Sequence, residues 1–174
     1  METTRPRREL SRTRIVDAAV ALLDGEGTHA LTMRRLAQSL GVTPTALYWH
    51  VDTKEDVLGL AVDHIFGDVP VPAASDDWRR DVRTLVGGWR AAMLRHPWAP
   101  GLIGRPMRGP NVRARTEFLQ AALGRGGHEG RRLDVVTRLI ANFVIGSAVT
   151  EAAWGRTSPH DDDLFHGGLD ELLR

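Results

Sequence analysis

The chain has 174 residues, of which 42% are hydrophobic and 26% charged, as in an ordinary soluble globular protein. Its net charge of +1 excludes a polycation, and the absence of cysteine excludes disulfides, thiolate metal sites and a cysteine nucleophile. Five arginines lie in the first fourteen residues, which lack the apolar core of a signal peptide, and no apolar run approaches the length that spans a membrane. We therefore expect a cytoplasmic protein with a basic N-terminal arm.

The first predicted helix is amphipathic. Its apolar residues recur at intervals of three and four positions, the spacing of one helical face: Ile15, Ala18, Ala19, Leu22 and Leu23. Gly25 and Gly27 follow this stripe, so we expect the helix to end there. Thr32 then provides an N-cap for a second helix that ends at Leu40.

A third, short helix is predicted directly after the second. Gly41 suits the backbone that ends a helix, while Thr43 suits an N-cap and Pro44 the first helical position. Two short helices joined by a two-residue turn indicate a helix-turn-helix, whose second helix enters a DNA major groove. We expect Leu47 and Val51 to be buried, because adjacent residues of this helix cannot all face the same way.

A fourth helix is predicted from Thr53 to Phe66, with Asp56 as the capping-box partner of Thr53. The proline-rich segment "GDVPVPAASDD" follows and lacks helical periodicity, which indicates a domain boundary. The predicted parts are an arm with the helix-turn-helix, a connecting helix and a larger ligand-binding and dimerisation domain, over residues 1–52, 53–68 and 69–174.

The remaining sequence predicts helices only, so the expected fold class is all-α. Apolar stripes indicate helices over residues 76–95, 112–123, 133–154 and 164–173. Between the first two of these, "HPWAPGLIGRPMRGPN" contains four prolines and has room for one short helix at most.

The N-terminal segment resembles the DNA-binding domain of the TetR family of bacterial transcriptional repressors. The resemblance is carried by "LTMRRLAQSLGV" and "ALYWHVDTKEDVL", and "LYWHV" is nearest the tetracycline-repressor branch. The C-terminal part is similar to that branch through "DWRRDVRTL", "WRAAMLRHPW" and "FHGGLDELL". The family implies a homodimer, a palindromic operator and release from DNA when a small molecule binds.

The resemblance also implies which residues contact DNA. Arg34 matches a base-reading position. Five residues match base or phosphate contacts, namely Thr43, Pro44, Thr45, Tyr48 and His50. Three more match contacts to the DNA backbone, namely Thr32, Trp49 and Lys54. The residues themselves leave plainer roles open, because His50 suits a helix C-cap and Lys54 suits a solvated helix start.

The effector region is expected in the C-terminal domain, where large aromatic and sulfur-containing side chains are frequent. Such side chains line ligand pockets, and they also fill ordinary helical cores, so both roles stay open. The candidates are Trp89, Met93, Trp98, Leu102, Met107, Phe118 and Phe143. Trp98 and Met107 are favoured because they lie in the segment broken by prolines.

The dimer interface is expected on the last two long helices. We predict that the 133–154 and 164–173 helices of two chains form a four-helix bundle, with the monomer's own core as the alternative role of the same stripe. The interface candidates are Val136, Ile140, Phe143, Val144, Leu169 and Leu172.

No metal, cofactor or catalytic role is predicted. The run "HDDDLFH" suits the start of a helix better than a metal site, because consecutive aspartates diverge. The sequence lacks the phosphate-binding loop, the zinc-protease motif and the nucleophile elbow. We expect a repressor that an effector releases from DNA; the alternatives are a ligand-independent DNA-binding protein and a protein-interaction adaptor with a helix-turn-helix.

Overall fold

A computed structural model describes residues 9–103, 109–155 and 158–174. The described residues form eight α-helices and no strand, which confirms the all-α fold class. The helices are α1 Arg12–Glu26, α2 Met33–Leu40, α3 Pro44–Leu47, α4 Lys54–Gly67, α5 Trp78–Arg95, α6 Pro110–Arg125, α7 Gly130–Trp154 and α8 Pro159–Leu172. The chain divides into two compact units, one ending at Ala61 and the other beginning at Val62, within α4. The three domain ranges given above remain a proposal.

Side chains cap the helices of the N-terminal unit at the expected places. Thr32 Oγ1 accepts a hydrogen bond from the Arg35 backbone N–H at 3.1 Å and so begins α2. Gly41, with φ of +67°, ends α2 in the left-handed region that favours glycine. Thr53 and Asp56 form the predicted box, since each backbone N–H donates to the other side chain, at 2.9 and 3.0 Å. Gly27, with φ of +77°, is the C-cap of α1 and so ends the helix as expected, whereas Gly25 still lies inside it.

The C-terminal unit is built around α5, which packs against α6 and α7, while α7 also packs against α8. Its core is formed by fully buried aliphatic and methionine side chains: Leu85, Met93, Leu119, Leu123, Ile140 and Leu169. Helix α5 begins at Trp78. The Asp77 side chain caps this helix by accepting a hydrogen bond from the Arg80 backbone N–H at 3.0 Å. The amphipathic helices predicted in this region are therefore present, with shifted ends.

The last helix begins five positions earlier than predicted. Ser158 is its N-cap and Pro159 its first residue, and Ser158 and Asp161 form a capping box. The Ser158 hydroxyl and N–H both donate to Asp161, which lowers the pKa of that carboxyl. The acidic run is thus the first turn of α8, where negative charge is favoured by the helix dipole.

One buried ion pair joins α5 to α7. Arg90 donates to Glu151 through Nε at 2.9 Å and through Nη2 at 2.6 Å, and the two side chains are 8% and 7% exposed. Arg90 Nη1 also donates to Asp162 on α8 at 2.6 Å. Burial by itself lowers the pKa of Arg90, but the two carboxylates outweigh it and raise the pKa above its ordinary value. Arg90 therefore holds three helices together as a permanent cation.

Candidate nucleic-acid interface, effector region and subunit face

The short helix α3 presents an exposed aromatic pair. Beyond Leu47 the chain continues as a turn, in which the N–H groups of His50 and Val51 both donate to the Leu47 carbonyl. Leu47 and Val51 are buried, as expected, and anchor this turn on the core. Tyr48 and Trp49 are 52% and 85% exposed. Large aromatic side chains this exposed are unusual on a surface that has no partner.

Five more of the residues expected to contact DNA are exposed as well, whereas His50 and Lys54 are half-buried. The five are Thr32, Arg34, Thr43, Pro44 and Thr45. The oxygens of Thr32 and Thr43 accept the capping hydrogen bonds of α2 and α3, which leaves each hydroxyl proton free to be donated.

Two basic residues hold this surface in place through the backbone. Arg12 Nη2 donates to the His50 carbonyl at 3.2 Å and so satisfies the end of the turn after α3. Lys54 Nζ donates to the Thr28 carbonyl at 3.2 Å and is half-buried. Lys54 therefore has a structural role in addition to the predicted DNA contact, and its ammonium keeps two further donors. The positioning role of Arg12 has no signal in the sequence, because its partner lies 38 residues away.

The expected effector residues divide into buried and half-buried side chains. Trp89, Met93 and Trp98 are buried, whereas Leu102 and Phe118 are half-buried. Met107 lies outside the described residues. Phe143 is stacked on Phe165, with ring centroids 5.3 Å apart, and lines a groove of about 420 Å³ between α7 and α8.

Trp89 carries a polar atom that is unusual for a core. Its side chain is 7% exposed and meets the ring of Phe66 edge-on, with centroids 6.2 Å apart. Its indole Nε1 is buried and has no hydrogen-bond partner among the described residues. A buried donor without an acceptor costs roughly 1–3 kcal/mol. This donor is therefore a candidate contact for a bound acceptor.

Helices α4 and α6 cap each other. The Asp63 carboxylate of α4 accepts from the Val112 N–H and from Asn111 Nδ2 of α6, both at 3.0 Å. In return, the buried Arg115 guanidinium of α6 donates to two carbonyls at the end of α4, to Gly67, its last residue, at 2.7 Å and to Val69 just beyond it at 2.8 Å.

The approach of these two helices leaves no room for a side chain at Gly109, the N-cap of α6. A Cβ at Gly109 would lie 2.0 Å from the Asp63 carboxylate. Burial lowers the pKa of Arg115, opposed by the charge of Asp63. The two helix ends are thus joined by a reciprocal capping pair, Asp63 and Arg115.

Three of the residues expected at the dimer interface are buried inside the single chain, which corrects that assignment. Ile140, Val144 and Leu169 are at most 2% exposed, so a second subunit would have no surface to touch there. Val136, Phe143 and Leu172 are half-buried. The periodic stripe identified the face of α7 that packs against its own chain. Exposed apolar side chains lie on another face, at Val135, Leu139 and Val149.

Comparison with known proteins finds two matching family models. Residues 15–60 match the family described as bacterial regulatory proteins, tetR family, and residues 71–173 match the tetracyclin repressor-like C-terminal domain. An HTH-type transcriptional regulator of Saccharopolyspora erythraea is 43% identical over 168 residues, covering 95% of this chain and 70% of that protein.

Solved structures are similar over nearly the whole chain. BioQ with its double-stranded DNA operator is 31% identical, with a TM-score of 0.79, covering 95% of this chain and 96% of that one. ActR of Streptomyces coelicolor in complex with actinorhodin is 26% identical, with a TM-score of 0.86, covering 95% of each chain.

Proposed function

The chain belongs to the TetR family of bacterial regulatory proteins, and we propose that it is a repressor that leaves a palindromic operator when a small-molecule effector binds. The observation that carries the proposal is the exposed surface around α3. It combines buried anchors at Leu47 and Val51 with exposed Tyr48 and Trp49. This is the arrangement that a helix needs in order to enter a major groove without disturbing its own core.

Each group on this surface has a role in the proposal. Arg34 and the residues Thr43 to Thr45 read base edges, since they are exposed at the starts of α2 and α3. Tyr48 and His50 donate to phosphates, and Lys54 uses its remaining donors in the same way. Arg12 acts indirectly, by holding the turn after α3 in position through the His50 carbonyl.

The effector is proposed to bind near Trp89 in the C-terminal unit. The unpartnered indole N–H favours an effector with a hydrogen-bond acceptor, such as a carbonyl group. Arg90, next to Trp89, is already neutralised by Glu151 and Asp162, so it offers no free charge to an anionic effector. The ligand named for ActR belongs to that protein; for this chain we propose only the class of a largely apolar molecule with acceptor groups.

The reciprocal capping pair is proposed to transmit effector binding to the reading surface. Helix α4 begins at Lys54 and ends at Gly67, so one helix extends from the N-terminal unit to the contact with α6. Because Asp63 and Arg115 each satisfy the other helix's end, a displacement of α6 either moves α4 or leaves buried polar groups unpaired. A moved α4 changes the separation of the two reading helices in a dimer, and both then no longer fit their grooves.

Arg34 provides a direct test of base reading. We expect Arg34→Ala to weaken binding to the preferred duplex by about 5- to 150-fold while leaving binding to random duplex almost unchanged. Arg35→Ala is the matched control, because Arg35 lies on the same helix and its guanidinium is paired with Glu26 at 2.6 Å. Fluorescence anisotropy with both duplexes at fixed salt measures the difference. Equal losses on preferred and random DNA would remove Arg34 from the reading surface.

A further inference from the structure

The turn that joins α6 to α7, residues 126–129, contains a buried histidine. His128 is 7% exposed, and its backbone N–H donates to the Leu123 carbonyl at 3.1 Å. Its ring meets the ring of Trp78 on α5 nearly at right angles, with centroids 5.6 Å apart. Gly126 lies against the same indole, since a Cβ at this position would be 2.5 Å from it. The turn is therefore packed tightly on Trp78.

A hydrogen bond to an arginine fixes the protonation state of His128. Arg132 on α7 donates through Nε to His128 Nδ1 at 3.1 Å. Because a guanidinium group only donates, Nδ1 must carry the lone pair, and the single ring proton lies on Nε2. Nε2 is buried and has no hydrogen-bond partner among the described residues. The folded structure thus requires the neutral form of His128.

The charges that act on His128 come from two arginines. Besides Arg132, the guanidinium of Arg79 on α5 lies over the Trp78 ring, 4.4 Å from its centroid, and donates to the Leu173 carbonyl at 3.1 Å. Burial, followed by the charges of Arg132 and Arg79, lowers the pKa of His128 below its ordinary value of 6.5. A second proton on this ring is therefore opposed both by burial and by charge.

The acids next to this cluster are occupied elsewhere. Asp81, one turn beyond Trp78 on α5, pairs with Arg125 of α6 at 2.5 Å and accepts from the Ser75 hydroxyl at 2.7 Å. Glu129, which follows His128 in the turn, is exposed to solvent, where its charge is screened. Neither carboxylate is available to balance a proton added to His128.

We propose that His128 is a pH switch, in which a second proton on the ring opens the α6–α7 turn. That proton enters at Nδ1, where the Arg132 N–H already points, so the hydrogen bond becomes a contact between two donors. Gly127 and Gly130 flank His128 with φ of +82° and +49°, and glycine accepts new backbone conformations at little steric cost. The turn can therefore move off α5 and carry the imidazolium into water.

The sign of the pH dependence follows from the lowered pKa. In the open turn His128 binds its second proton at the ordinary value of 6.5, whereas in the closed turn it does so only at lower pH. Opening therefore takes up a proton below 6.5, and the opening equilibrium constant rises by at most about tenfold for each pH unit. Above 6.5 the closed turn keeps its full stability.

Acid would also act on DNA binding through α6. This step rests on the proposed function, because the far end of α6 carries Arg115 of the reciprocal capping pair. An open α6–α7 turn loosens α6 and is expected to weaken operator binding in the way proposed for the effector. Protons and effector would then act through the same helix.

The ring signal of His128 in the NMR spectrum of the unmodified chain, identified by its contact with the Trp78 ring, measures the titration directly. The expected midpoint lies below 6.5, and a midpoint at or above 6.5 would overturn the proposal. Hydrogen exchange of residues 123–132, corrected for the intrinsic effect of pH, measures the opening one pH unit above and one below 6.5. Protection is expected to fall in acid by up to about tenfold.

His128→Asn separates the switch from a general effect of acid. The asparagine side-chain oxygen can still accept from Arg132 but does not titrate, so the acid-dependent loss of protection is expected to disappear. His166→Asn, at an exposed histidine of α8, is the control and is expected to keep it. Loss of protection in acid that persists in His128→Asn would overturn the switch. A switch that opens without weakening operator binding would overturn only its link to DNA, and a chain that binds no specific duplex at any pH would overturn the proposed function instead.

Discussion

Replacing Leu139 by Glu is expected to convert the protein into a monomer and to remove most of its specific affinity for operator DNA. Leu139 is 46% exposed in the single chain, so the substitution leaves the folded subunit almost unstrained. In the proposed dimer, with the exposed apolar side chains of α7 at the contact, the same substitution would bury two carboxylates against Val135, Leu139 and Val149 of the two copies, a cost that the interface cannot offset. A monomer binds through one reading head, and losing the linked second head lowers affinity by roughly 10²- to 10⁴-fold.

Analytical ultracentrifugation and anisotropy with the preferred duplex together measure this effect. Val71→Glu is the matched control, because Val71 is 42% exposed and lies outside α7. The control is expected to remain a dimer with unchanged operator affinity. A dimeric Leu139→Glu variant with full affinity would show that the exposed apolar face of α7, formed by Val135, Leu139 and Val149, has no part in assembly.

Replacing Glu151 by Ala is expected to lower the free energy of unfolding by about 3–5 kcal/mol, the cost of breaking a buried ion pair on one side. The Arg90 guanidinium, 8% exposed, would keep only Asp162, whose side chain is 53% exposed. Asp162→Asn is the milder comparison and is expected to cost about 1 kcal/mol or less, because its partner contact is open to solvent.

Urea unfolding at one protein concentration measures both substitutions, since the stability of a dimer depends on concentration. Equal effects of Glu151→Ala and Asp162→Asn would show that Arg90 is less buried in solution than in the structure. In that case the ion pair would not be the contact that joins α5, α7 and α8.

The helix starts were predictable wherever a local capping pattern marks them. Thr32, Thr43 and the pair Thr53–Asp56 lie within three residues of the N–H groups that they satisfy, so a single sequence contains the whole signal. The start of α8 was predicted too late, although Ser158 and Asp161 form the same kind of capping box. The apolar periodicity of this helix begins only at Leu164, and the acidic turn before it has no apolar face that would indicate a helix.

The faces of α7 were harder to assign, for a physical reason. A long helix with an inner core face and an outer apolar stripe has apolar residues on both sides, and periodicity does not distinguish which side meets its own chain. Ile140 and Val144 were therefore assigned to the interface and are core. The contacts of Arg12 with His50 and of Asp63 with α6 join residues 38 or more positions apart, so no local sequence pattern predicts them.

Selection of duplexes from a random DNA pool by the purified protein tests the central claim most directly. The account predicts enrichment of an inverted repeat whose half-sites have major-groove centres about 34 Å or somewhat more apart, one for each reading helix of a dimer. Binding to the enriched duplex should weaken steeply as salt concentration rises, because the phosphate contacts release counterions. A pool that remains random after repeated selection, or one that yields a single half-site without symmetry, would contradict a dimeric operator-binding repressor.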